Sequence, residues 1–248
     1  MTWEHRLHLM TTRPVFLPSP GTSLTREEQV EFRWSPGFAA SQKRKNVEAL
    51  HDAAKLKGVA NSILEVSTRS LETLGIKLSA FNLQLELPGR SNPVSVEAAF
   101  QSSKVFDKAG LQSHLLELTD GREIKGHIRS LGDQELIGFE YLSETWPLDP
   151  LPTAMYDYIY LQAITQLVSQ QPEVGDQLAD FEAFTDIEFN PKKSLSCQAR
   201  TCALFIGLGG LEPVQQLLAD PSAFRAHLVK HGYGPKSPRS ESVSSTLF

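Results

Sequence analysis

Cysteine is scarce in this chain: Cys197 and Cys202 are the only two among 248 residues. They lie five apart in a helix-like segment, point to different faces and make no C-x-x-C pair. That spacing excludes a disulfide framework and predicts reduced, buried thiols. The seven histidines are scattered, with no H-E-x-x-H, so no metal site is expected. No apolar run approaches the roughly 20 residues that span a bilayer, so no membrane association is expected. The opening "MTWEHRLHLMTTRPVFLPSP" has no unbroken apolar core. No secretion signal is therefore read, a cytoplasmic location is expected, and Met10 offers an alternative start. Internal repeats, G-x-G-x-x-G and Walker motifs are missing, which leaves no Gly-rich phosphate cradle and no cofactor signature. Positive charge is also in deficit, at a net −5. Proteins that grip long duplex DNA through its phosphates are usually basic, so any nucleic-acid contact must be local. "QKRK" (42–45) and "PKK" (191–193) are the candidate clusters.

What is present is an ordinary globular composition, 40% hydrophobic and 21% charged, long enough for one sizeable core. The first 28 residues read as an extended, turn-rich lead-in. "QVEFRWSP" (29–36) reads as a strand stopped by Pro36-Gly37. "SQKRKNVEALHDAAKLKG" (41–58) reads as a helix capped by Ser41, apolar at Val47, Leu50 and Ala54, and ended by Gly58. "SILEVST" (62–68) is strand-like. In "LSAFNLQLELPG" (78–89) Leu83, Leu85 and Leu87 alternate with Gln84 and Glu86, the pattern of a half-buried strand before a Pro88-Gly89 turn. A helix is expected from about Ser95 to Lys108, a loop-rich stretch over "GREIKGHIRSLGDQ", and a strand at 135–142. "WPLDPLP" reads as a stiff connector. Helices follow at 153–170, 196–208 and within 211–231, before a Ser/Pro-rich tail. Strands and helices do not alternate regularly. The expected fold is therefore α+β, a helix-rich single domain with a small β-sheet. Its expected bounds are 13–232, after an N-terminal extension (1–12) and before a disordered tail (233–248).

One stretch, "SNPVSVEAAFQSSKVF" (91–106), sets Glu97, Gln101 and Lys104 on one helical face. By spacing alone this is a solvated stripe. The functional alternative is a carboxylate in a first helical turn, kept ionised by the helix dipole, with an amide and an amine beside it.

That stretch, with "LSAFN" before it, resembles the NADAR family. Its hallmark is a Ser-Asn-Phe segment followed by a helix carrying Glu, His, Gln and Lys. Phe81 precedes Glu97 by sixteen residues, as the pattern wants, and Glu97, Gln101 and Lys104 match its Glu, Gln and Lys. Ala80 stands where the family has Asn, and Ala98 where it has His. Together with "EFRWSPGFAASQKRKN", "LEVSTRS" and "FTDIEFNPKKSLSCQARTCALF", the resemblance extends to the NADAR branch of antitoxins paired with DNA ADP-ribosyltransferase toxins that modify guanine. It covers roughly residues 13–210.

The resemblance implies an N-glycosidase: an ADP-ribosylhydrolase that frees the guanine amino group in DNA from ADP-ribose. The expected partners are ADP-ribosylated DNA or ADP-ribose, and a cognate toxin. Two rival readings are an N-glycosidase on a free riboflavin-pathway intermediate, and a non-catalytic ADP-ribose reader or toxin-binding protein. Cleavage of an N-glycosidic bond builds positive charge at C1″, so a carboxylate is needed, and Glu97 is the choice. A lysine amine can instead trap the opened ribose as a Schiff base. Lys43 and Lys45 of "SQKRKN" are the candidates, with Lys43 preferred. Substrate contacts are expected from Ser79, Phe81, Asn82, Gln101, Lys104, Asp186, Phe189, Asn190 and Lys192. Lys193, Gln198 and one or two of Tyr156, Tyr158 and Tyr160 are weaker candidates.

Overall fold

The proline-bearing lead-in is half of a long hairpin. In the computed structural model, which describes residues 9–21 and 23–234, strand β1 (Leu9–Ser19) pairs antiparallel with β2 (Leu24–Trp34). Residues 9–12 thus pair with 31–34, while residues 1–8 and 235–248 lie outside the described residues. The sequence hid β1 because its middle is covered on both faces, which erases the in–out alternation of a half-exposed strand. Val15 and Leu17 join a small core with Val30 and Phe32, and Phe16 joins the main core.

Helix α1 (Ala40–Leu56) covers the first face with Val47, Leu50 and Ala54, the stripe read from the sequence. It starts without a side-chain cap, so Ser41 does not cap it. Gly58, at φ +71°, follows its end. Strand β3 (Ile63–Glu65) pairs parallel with β10 (Ala183–Thr185), which lies antiparallel to β1. The first sheet therefore runs β2-β1-β10-β3.

The short helix α2 (Thr73–Lys77) leads into turns at 78–82. Leu83, Leu85 and Leu87 are buried and Gln84 and Glu86 exposed as expected, but only β4 (Gln84–Leu85) pairs, with β5 (Val94–Ser95). Gly75 of α2 is pressed onto β3. A Cβ there would sit 1.9 Å from the Glu65 carbonyl oxygen, which is backbone that cannot step aside. Gly75→Ala is therefore expected to destabilise by about 3 kcal/mol, read as a melting temperature lowered by about 6–12 °C.

Helix α3 (Val96–Ser102) is shorter than expected. The hydroxyls of Ser102 and Ser103 donate to the carbonyls of Ala99 and Phe100, closing its last turn. The chain then extends into β6 (Lys104–Phe106), whose Lys104 pairs with Phe139 of β8 (Leu136–Tyr141). With β7 (Gly110–Leu111) and β9 (Glu144–Trp146) these form a second antiparallel sheet, in the order β7-β6-β8-β9.

The stretch expected to be loop holds α4 (Gly121–Ser130). Asp120 caps it by accepting from the Arg122 N–H, and Ile124 and Ile128 are its buried stripe. Helix α5 (Ala154–Gln170) runs through the main core and buries all three tyrosines. Helices α6 (Pro172–Ala179), α7 (Gln198–Gly207), α8 (Leu211–Leu218) and α9 (Pro221–Lys230) complete a helix-rich α+β domain. Helix α7 covers the second face of the first sheet. No helix among the described residues is long and apolar enough to cross a membrane.

Candidate active site

Both backbone polar groups of Ala80 hold the site together. Its carbonyl accepts the Glu97 N–H at 2.9 Å, and its N–H donates to Gln198 Oε1 at 2.7 Å. The Val96 N–H reaches the Leu83 carbonyl at 3.0 Å. These bonds give the sixteen-residue spacing between Phe81 and Glu97 a physical meaning, since they dock the start of α3 onto the 80–83 segment. The Asn that the pattern has at position 80 is replaced here, yet the main chain still makes the link. Ser95 caps α3 by accepting the Ala98 N–H at 3.1 Å, placing Glu97 in the first turn.

Glu97, Gln101 and Asp186 line a common cleft of about 280 Å³. The Glu97 side chain is 8% exposed, and its Oε1 accepts from Gln101 Nε2 at 3.1 Å and lies 3.5 Å from Lys125 Nζ. Gln101 Oε1 is buried without a hydrogen-bond partner among the described residues. Across the cleft, Gln198 Nε2 donates to Asp186 Oδ2 at 3.0 Å, while Oδ1 accepts the N–H groups of Glu188 and Phe189. Gln198 thus ties the Ala80 main chain to Asp186. Phe81, Phe100, Tyr156 and Phe189 supply the apolar wall, and Asn190, Lys193, Ser194 and Ser196 complete the lining. Lys125 Nζ also sits 4.6 Å from the Phe81 ring centre.

Behind Asp186 lies a second buried carboxyl, Glu65. It accepts from the Ser67 and Thr185 hydroxyls and the Ile187 N–H. Burial pushes both carboxyls up, and the nearby Asp186 charge pushes Glu65 further. Both keep protons in the fold that the unfolded chain gives up above the ordinary carboxylate range. Their contribution to stability is present in mild acid and lost as pH rises through neutrality. Glu65→Gln keeps the shape without the charge. It is expected to flatten the fall in urea midpoint that the wild type shows between pH 5 and pH 8.

The structure separates the remaining candidates. Ser79 is buried and donates to the Ile76 carbonyl, outside the cleft. Asn82 also bonds Ile76 and faces a different, amide-lined cleft. Lys104 is not on the face of α3; it lies fully buried on β6, 5.1 Å from the Phe100 ring centre. Burial lowers its pKa to about 7, against the raising influence of Glu97. Lys45 and Lys192 are exposed away from the lining, while Lys43 Nζ reaches Glu188 Oε1, on the rim, at 3.5 Å. Of the tyrosines, Tyr156 lines the cleft. Tyr158 and Tyr160 donate to the carbonyls of Leu218 and Leu78.

Sequence reasoning missed Lys125, Glu188, Ser194, Ser196 and the role of Glu65. Lys125 had a signal, the Ile124/Ile128 pair behind a capping Asp120; the others lay within the segments "LEVSTRS" and "FTDIEFNPKKSLSCQARTCALF" that carry the family resemblance. Compared with known proteins, residues 11–237 match the family model described as NADAR-DarT1, the DarT1-associated NADAR antitoxin. No curated protein matches the chain.

Proposed function

The chain belongs to the DarT1-associated NADAR antitoxin family, which implies a cognate DarT toxin, and from that premise we propose that it is an N-glycosidase removing ADP-ribose from the guanine amino group in DNA. The observation that carries this reading is Glu97, a nearly buried carboxylate that lines a cleft, held by Gln101 and neighboured by Lys125. As the C1″–N bond breaks, positive charge grows on the ribose. A carboxylate there stabilises that charge and polarises the attacking water or a ribose hydroxyl.

The lining suits the rest of the ligand. The orphaned Gln101 Oε1 is a buried acceptor that a ribose hydroxyl satisfies. Asp186, raised to about 7, can hold or give a proton near neutrality. Lys125 and Lys193 place cations where a pyrophosphate enters, and Phe81, Phe100 and Tyr156 offer aromatic faces. Exposed Lys45 and Lys192 are free to meet DNA phosphates outside the cleft.

The test incubates an oligonucleotide carrying ADP-ribosylated guanine with the protein and weighs the products. Free ADP-ribose and unmodified oligonucleotide are expected. An intact modification beside tight ADP-ribose binding would make the protein a reader. Cleavage of free nucleotides alone would make it a small-molecule N-glycosidase. Borohydride decides between the two chemical routes. An adduct that persists in Lys45→Ala and disappears in Lys43→Ala makes Lys43 the amine, and no adduct at all leaves direct attack by water.

A further inference from the structure

Among the described residues, the exposed large hydrophobic side chains include two aromatics, Phe38 at 99% and Phe81 at 39%. Phe81 lines the cleft. Phe38 lies outside it and its ring touches almost nothing. A lone exposed apolar side chain is ordinary, so its setting decides its meaning.

That setting is specific. Phe38 immediately precedes Ala39, the N-cap of α1, whose carbonyl accepts the N–H groups of Gln42 and Lys43 at 3.0 and 3.1 Å. The chain before it turns at Gly37, φ +135°, where a Cβ would lie 3.1 Å from the Gln42 side chain. The backbone is thus held against the helix while the ring projects into water. Three cations follow in succession, Lys43, Arg44 and Lys45, in a chain of net charge −5. Lys43 reaches Glu188 on the cleft rim, and Arg69 Nε reaches the same carboxylate at 3.5 Å. One residue step and one helical turn put the Cα of Phe38 within about 10 Å of that of Lys43. That is the length of about three nucleotides when their bases stay stacked, at about 3.4 Å each.

We propose that Phe38 is a base-stacking side chain of a single-stranded DNA track that runs from the start of α1 to the cleft. Its ring stacks on a base near the modified guanine, and Arg44 and Lys45 meet the flanking phosphates. The proposal rests on the reading of DNA as the substrate and adds how the polymer, rather than the ADP-ribose, is recognised.

The test compares wild type, Phe38→Ala and Phe38→Trp in two measurements. The first is affinity for an unmodified single-stranded oligodeoxynucleotide across a salt series. Phe38→Ala is expected to bind about 5- to 100-fold more weakly with the salt slope unchanged, because stacking releases no counterions, and Phe38→Trp to bind like wild type. The second is kcat/KM on a modified oligonucleotide and on ADP-ribosylated deoxyguanosine alone. The Ala variant should lose a similar factor on the first and nothing on the second. Oligonucleotide affinity within twofold of wild type overturns the proposal, as does an equal loss on both substrates. Unchanged oligonucleotide affinity with lost binding to the toxin would put Phe38 in a protein interface, and overturns it too. If wild type cleaves neither substrate, the glycosidase reading falls, while the affinity comparison still decides Phe38.

Discussion

Glu97→Gln should release ADP-ribose from guanine about 10²- to 10⁴-fold more slowly than wild type, the usual worth of a positioned proton-transfer group. The amide keeps the shape of the carboxylate, and its oxygen can still accept from Gln101 Nε2. KM should therefore change little and kcat carry the loss. The fold should be little affected, because the amide keeps the bond to Gln101 and Lys125, 43% exposed, can turn its ammonium to water. Single-turnover cleavage of modified oligonucleotide, followed beside a thermal melt, checks both halves. Full activity in a folded variant would move the proton work away from Glu97.

Lys104→Met carries the second large effect, and it runs in opposite directions for stability and catalysis. The ammonium of Lys104 is buried, so the fold releases its proton at about 7 while the unfolded chain holds it to the ordinary lysine value. Wild-type stability should rise with pH between about 7 and 10, and the full cost of the buried cation is present below 7. An apolar side chain of similar length removes that cost. Relative to wild type, the variant is expected to be more favoured at pH 6 than at pH 9, and to lack the rise toward pH 10. Glu97, however, loses a cation from its surroundings. With that cation gone from beside the carboxylate, kcat/KM on modified oligonucleotide is expected to fall. Melting curves at pH 6 and pH 9, with kcat/KM measured at the same two pH values, test the two sides. An unchanged kcat/KM would separate Lys104 from the chemistry of Glu97.

Legibility in the sequence followed the range of the force that shapes each segment. Helix α1 and the Leu83–Leu87 alternation were readable because one face of each is wet and the other dry, so their periods are intact. The stripe at 97, 101 and 104 was read as one helix face. Glu97 and Gln101 are indeed a turn apart, but Lys104 belongs to a strand claimed by Phe139, thirty-five residues away. No local spacing carries that pairing. Lys125 was missed because α4 contains Gly121 and Gly126 and shows only two buried apolar residues. Glu65 passed as an ordinary strand residue, since its burial comes from Ser67, Thr185 and Ile187, two of them on a segment more than a hundred residues further on.

Ala80 has an evolutionary consequence. Its contribution to the cleft is an N–H and a carbonyl, which nineteen of the twenty amino acids possess alike. Drift among small residues at this position leaves the link between Glu97 and Gln198 whole, and only proline, which lacks the N–H, severs the bond to Gln198. The cleft can therefore keep its shape while losing a signature letter, because Ala80 joins the main chain of Glu97 to the side chain of Gln198 through groups its own side chain does not supply.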